Sequence, residues 1–152
     1  MKPESAVKFE RRFGRVFFPV HRWMFKTTGG RLGGRFEGRP MVLVAMTGAK
    51  SGQRREQLIQ YMPDGDDFII VASNGGRPQH PAWLHNVRAH PEIEALSRQA
   101  GHRGWTRATA HVLTRDEREA IWPRLDAFYP GYAHYQTLTD RQIEVVRLTP
   151  GP

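Results

Sequence analysis

The sequence predicts an α+β domain whose centre is a mostly antiparallel, barrel-like sheet, with a helix ahead of it and short helices at its periphery. Three observations predict this. Apolar or alternating runs of strand length recur between residues 35 and 152, separated by turn signals. Strands and helices do not alternate regularly, which argues against a doubly wound parallel sheet. The 152 residues, 39% of them hydrophobic, suffice for one core. A single domain is therefore expected, with residues 1–34 as a helical segment and Gly-rich linker and 35–152 as the barrel.

In chain order, Ser5 to Thr28 reads as a helix. Val7, Phe9, Phe13, Val16 and Phe17 recur at roughly helical spacing among Lys8, Arg11, Arg12 and Arg15, and Pro19 should kink or split it. It serves either as a helix docked on the core or as a basic amphipathic stretch in peripheral contact with an anionic membrane. Gly29-Gly30-Arg31-Leu32-Gly33-Gly34 lacks the order of a dinucleotide fingerprint and reads as a linker. Met41 to Met46 is a buried strand by its apolar, β-branched content. Gln57 to Met62 and Asp67 to Ala72 flank Pro63-Asp64-Gly65-Asp66 and form a hairpin. Pro81 suits a first helical turn, and Ala82 to Ala89 reads as a helix stopped by Pro91. Ile93 to Ser97 and Thr106 to Leu113 are strands. Thr114 with Glu117 is a capping box opening a helix to about Phe128, and Ile143 to Leu148 is a closing strand.

Lysine and arginine number 23 against 15 acids, a net charge of +8, which favours an anionic partner. The basic residues are not interleaved with aromatic stacking platforms, so a specific nucleic-acid site is not expected. There is no cysteine, which excludes disulfides, thiolate metal sites and a cysteine nucleophile. No apolar run reaches 18 residues, and the stretch Val16 to Val20 is interrupted by Pro19 and followed by no cleavage pattern. The expected location is the cytoplasm, with the first helix leaving open contact with the inner membrane face. The oligomeric state is not readable from the sequence.

Three motifs carry candidate chemistry. Thr47-Gly48-Ala49-Lys50-Ser51-Gly52-Gln53-Arg54-Arg55 follows a buried strand. Its glycines allow a tight turn that presents backbone amides, while Ser51, Lys50, Arg54 and Arg55 add donors and positive charge suited to a phosphate. A solvated basic turn is the plainer alternative. Ala72-Ser73-Asn74-Gly75-Gly76 leaves a strand, and Trp83 and Asn86 lie three apart on the following helix. They suit a planar polar ligand, or else form a strand-end turn beside a core tryptophan. Tyr129, Tyr132 and Tyr135 recur every three residues and offer aromatic walls with donor tips, or simply pack a connecting segment. His80, His85 and His90 are five apart, which does not suit helical metal chelation, and no metal is expected.

These motifs, in this order, together with Gly29 to Gly34, His80-Pro81-Ala82-Trp83 and Thr139-Asp140-Arg141-Gln142-Ile143, resemble the deazaflavin (coenzyme F-420)-dependent nitroreductase family of actinobacteria. The resemblance runs from about His21 to Pro150 and implies a split β-barrel like that of FMN-binding reductases. It implies that Lys50, Ser51, Gly52 and Arg55 hold the phosphodiester and oligoglutamate tail. Ser73, Asn74, Trp83 and Asn86 would line the deazaflavin end, and Tyr129, Tyr132 and Tyr135 the substrate side. Leu58 stands where family members carry a proline near the ring, and Glu56 adds an acid beside the cradle. The implied reaction is hydride transfer to a quinone, enone or nitro-aromatic compound, with Tyr135 or Tyr132 supplying a proton and Ser73 bonding the acceptor oxygen. A non-catalytic carrier of F-420 or lipid, or an FMN-dependent reductase, are the alternatives on the same fold.

Overall fold

The structure is a computed structural model that describes residues 19–28, 35–36 and 38–151. The expected helix before residue 19 and the linker Gly29 to Gly34 lie outside the described residues. Residues 19–27 are helical (α1). There follow β1 (Arg35–Phe36), β2 (Arg39–Thr47), β3 (Arg54–Gln60), β4 (Met62–Asp64), β5 (Asp67–Val71), α2 (Ala82–Ala89), β6 (Glu92–Leu96), β7 (Thr106–Val112), α3 (Arg115–Phe128), α4 (Gly131–Thr137) and β8 (Val145–Pro150).

Every strand pairing is antiparallel, and the order is β1-β2-β6-β7-β8-β5-β4, with β3 also on β2. The expected single strand from Gln57 to Met62 is two. β3 begins earlier, at Arg54, and passes through Tyr61 alone into β4. One bent run thus pairs with β2 at its start and with β5 at its end, which closes the ring into a split barrel. The closing hairpin is tighter than the four-residue turn expected. Asp64 pairs with Asp67, and Gly65 supplies the positive φ of 60° between them.

β2 reads as a continuous apolar run because both its faces are covered. Val42, Val44 and Met46 point into the interior with Phe68, Ile70, Ala95 and Leu148; Trp83, Leu84 and Val87 of α2 join them and plug one mouth of the barrel. Met41 and Leu43 face outward and bury Phe25 of α1, a contact on the order of 2 kcal/mol for the phenyl alone. α1 is therefore, over its described turns, a helix docked on the core. On the far outer face α3 and α4 cover β5 and β8 through Ile121, Leu125 and Tyr132. Both bonds of the capping box at α3 are present, Glu117 N–H to Thr114 Oγ1 at 3.3 Å and Thr114 N–H to Glu117 Oε1 at 3.0 Å.

Candidate active site

The turn between β2 and β3 is closed by its own backbone. Gly48 N–H donates to Gln53 O at 2.8 Å and Gly52 N–H to Gly48 O at 3.0 Å, while Gln53 N–H reaches Ser51 Oγ at 3.2 Å. Glycine suits both positions. Gly52 has φ +67°, and a Cβ on Gly48 would stand 2.5 Å from Ser51 Oγ. Ala49 N–H donates to Asn86 Oδ1 at 2.9 Å. The amides expected to face an anion are thus largely engaged already, and the cradle is made mainly by side chains: Lys50, Arg55 and the Ser51 hydroxyl. Asn86, expected at the ring end, is joined instead to this turn.

Between the turn, β3, α2 and α1 lies an open cleft of about 1000 Å³. Lys50, Ser51 and Arg55 line one side and Trp83, His85 and Asn86 the other; Arg22, Trp23 and Lys26 of α1 complete it. Its cations differ in availability. Arg54 is paired with Glu94 at 2.7 Å and Glu56 at 3.2 Å, and Lys26 with Glu56 at 3.0 Å. Burial works to raise the Glu56 carboxyl, yet bonds from Lys26 and Arg54 outweigh it and hold the group below its ordinary range. Among the described residues Lys50 and Arg55 make no ion pair, so their charge is left for a ligand. Gly52 shapes the turn without lining this cleft. Leu58 lies on the other face of β3, packed against the cluster of Phe25, Met41, Leu43 and Leu96 rather than beside Trp83.

The Ser73 turn is held by Arg141, which belongs to the Thr139 to Ile143 motif but for which the sequence indicates no role. Arg141 donates from Nη2 to Ser73 O at 2.8 Å, from Nε to Arg77 O at 2.9 Å, and from Nη1 to Ala72 O and His80 Nδ1, both at 3.3 Å. His80 is consequently an acceptor, and burial, then the guanidinium, lowers its pKa. Asn74, at φ +46°, donates from Nδ2 to Gln79 O at 2.9 Å, so its amide is committed to the loop. The Ser73 hydroxyl makes no hydrogen bond among the described residues and remains a donor.

α4 sits directly on this turn. A Cβ on Gly76, which has φ +76°, would stand 2.8 Å from Tyr135 O. The three tyrosines differ in environment. Tyr132 is 5% exposed, its oxygen accepts from Gln60 Nε2 at 3.1 Å, and burial pushes its pKa up to about 12. Tyr129 and Tyr135 are half-buried with hydroxyls 3.4 Å apart, and the Arg39 guanidinium lies 4.6 Å above the Tyr129 ring. None of the three lines the cleft. The structure therefore makes two pairs, the Lys50 turn with α2 and the Ser73 turn with α4, joined by the chain from Gly76 to Ala82. Among the described residues no three His, Asp or Glu side chains converge as metal ligands, and no helix is long and apolar enough to cross a membrane.

A split barrel with a basic strand-end turn facing the helix that carries Trp83 is the frame in which the similarities to known proteins fall. The profile described as F420H(2)-dependent quinone reductase matches residues 18–150. An F420H(2)-dependent quinone reductase of Mycobacterium tuberculosis is 36% identical over 143 residues, covering 92% of this chain and 94% of its own. A solved F420-H2 dependent reductase, FDR-A, superposes with a TM-score of 0.63 at 39% identity over 72% of this chain and 94% of its own. A solved domain-swapped dimer gives 0.64 at 34% identity over 86% and 98%. The heme-storage protein HutZ of Vibrio cholerae, at 0.54 and 10% identity over 85% and 89%, shares the fold alone. This chain belongs to the F420H(2)-dependent quinone reductase family and is a deazaflavin-dependent oxidoreductase.

Proposed function

We propose that the cleft holds reduced coenzyme F-420 and that the chain uses it to reduce a quinone. The observation that supports this best is a turn fixed by Asn86 that leaves Lys50 and Arg55 without ion pairs at the cleft wall. A phosphodiester and carboxylate tail is the kind of ligand such a site attracts, so the residues fit the cofactor.

The cofactor, when bound, supplies a hydride. Lys50, Arg55 and the Ser51 hydroxyl hold its tail, and the cleft edge of Trp83 borders its ring system. The acceptor spans from the cleft to the neighbouring Ser73 turn, where the Ser73 hydroxyl donates to its oxygen, an effect of a few kcal/mol when well aligned. Tyr135, which does not line the cleft itself, delivers the proton. Tyr132 is the poorer donor, since burial and the raised pKa keep its proton in place. The described turns of α1 direct Phe25 onto the barrel and leave Val20 and Trp23 exposed.

Titration with reduced F-420, NADPH and reduced FMN, followed by menadione, enone and nitro-aromatic acceptors, tests it. Reduced F-420 should bind and be oxidised by menadione. Binding without turnover would instead mark a carrier, and preferential binding of FMN would assign a different reductase.

A further inference from the structure

The tyrosines belong to the α3–α4 cluster, so among the described residues the indoles lining the cleft are Trp23 and Trp83. They are not equivalent. Trp83 is 8% exposed and built into the barrel interior, whereas Trp23 is 66% exposed and shows its indole to the cleft side of α1. An indole left this open beside a cationic cleft offers a flat, apolar plate with a donor at its edge.

Besides Phe25, which is buried against the barrel, α1 is tied down at one strand residue. Glu56 accepts from Lys26 Nζ at 3.0 and 3.1 Å and from Arg54 Nε at 3.2 Å, and its backbone carbonyl takes the Arg22 guanidinium at 3.4 Å. Arg22 and Lys26 are one helical turn apart and flank Trp23. Beneath the start of α1, a cavity of about 220 Å³ separates Pro19, His21 and Arg22 from Met41 and Leu58. That part of the helix is held by the buried His21 and Phe25 together with the polar contacts to Glu56. The nine described helical residues of α1 do not hold themselves in water without such contacts.

We propose that α1 is the acceptor-side wall of the cleft, with Trp23 as the plate against which a planar quinone stacks and Glu56 as the residue that positions it. This rests on the reading that the cofactor occupies the same cleft. It gives Glu56 a purpose beyond charge: it holds Lys26 and Arg54 in pairs, leaves Lys50 and Arg55 to the cofactor tail, and orients the wall.

Menadione is the probe. On the cofactor-free protein, saturable quenching of tryptophan emission by menadione should disappear in Trp23→Ala and persist in Trp83→Phe. In steady state, Trp23→Ala should raise the menadione KM about tenfold, the affinity equivalent of one good aromatic pair, with kcat and the F-420 dissociation constant nearly unchanged. Trp23→Phe should recover most of that loss. Glu56→Gln should raise the menadione KM in the same way, with Glu56→Asp recovering part, and salt should weaken wild type more than Trp23→Ala. Menadione KM and quenching equal to wild type in Trp23→Ala would overturn the proposal. So would a Glu56→Gln variant that loses cofactor and acceptor affinity together, or Trp23 emission that responds to anionic vesicles but not to menadione. Failure of wild type to bind F-420 would instead refute the cleft as the cofactor site, which the quenching does not measure.

Discussion

Asn86 Oδ1 accepts a 2.9 Å hydrogen bond from the amide of Ala49, joining the basic turn to the helix that plugs the barrel. The turn is thereby fixed relative to the core, because α2 is rooted there by Leu84 and Val87. Asn86→Ala leaves the Ala49 amide without this partner. A loss of about 1 kcal/mol in denaturant melts is expected, with weaker F-420 binding. Asn86→Asp keeps the acceptor but places an anion beside the cradle, so it should restore stability and still bind the cofactor poorly. Equal cofactor affinity in all three proteins would dissociate the turn from binding.

Gly76 has φ +76° and lies against the Tyr135 carbonyl. Gly76→Ala must strain the backbone and displace α4, costing roughly 1–3 kcal/mol. Turnover should fall with stability, while the F-420 dissociation constant, set at the other turn, stays near wild type. A parallel loss of cofactor affinity would show that the two turns are not separate.

Tyr135→Phe should lower turnover and leave cofactor affinity nearly intact. Unchanged turnover would remove Tyr135 from the mechanism. Tyr132→Phe should act mainly on stability, through the lost bond from Gln60.

Tyr132 also predicts an alkaline signature. Its folded pKa of about 12 exceeds the ordinary 10, so the neutral phenol is favoured in the folded state. That stabilisation is complete below pH 10 and is lost as pH rises from 10 through 12, on the order of 2 kcal/mol. Melts across this window should show the loss in wild type and a shallower one in Tyr132→Phe. Identical curves would refute it.

Burial of His80, with the Arg141 guanidinium beside it, predicts the opposite slope. The folded His80 pKa is lowered, so its stabilisation is full above the ordinary value near 6.5 and declines as pH falls below it. Stability of wild type should therefore decline more steeply below pH 6.5 than that of His80→Gln, by equilibrium unfolding.

Much of this was legible where local pattern and final environment coincide. β2 shows as an apolar run because it is covered on both faces, and the Thr114–Glu117 box because both its bonds are local. The break at Tyr61 was not legible, since barrel closure imposes it. Spacing put Trp83 and Asn86 on one helix face, but three residues leave them about 60° apart around the helix, enough to send the indole into the barrel and the carboxamide to the turn. The tyrosine repeat drifts likewise, burying Tyr132 and leaving Tyr135 at the edge. Arg141 reaches partners 61 to 69 residues away in sequence, and no local pattern announces that.

The most direct measurement is the F-420 dissociation constant of wild type, Lys50→Ala and Arg55→Ala at low and high ionic strength. Wild type should bind tightly at low salt and progressively less as salt rises. Each variant should bind more weakly, with the gap widest at low salt. Affinities that match wild type at every ionic strength would contradict the assignment of this turn to the cofactor's anionic tail.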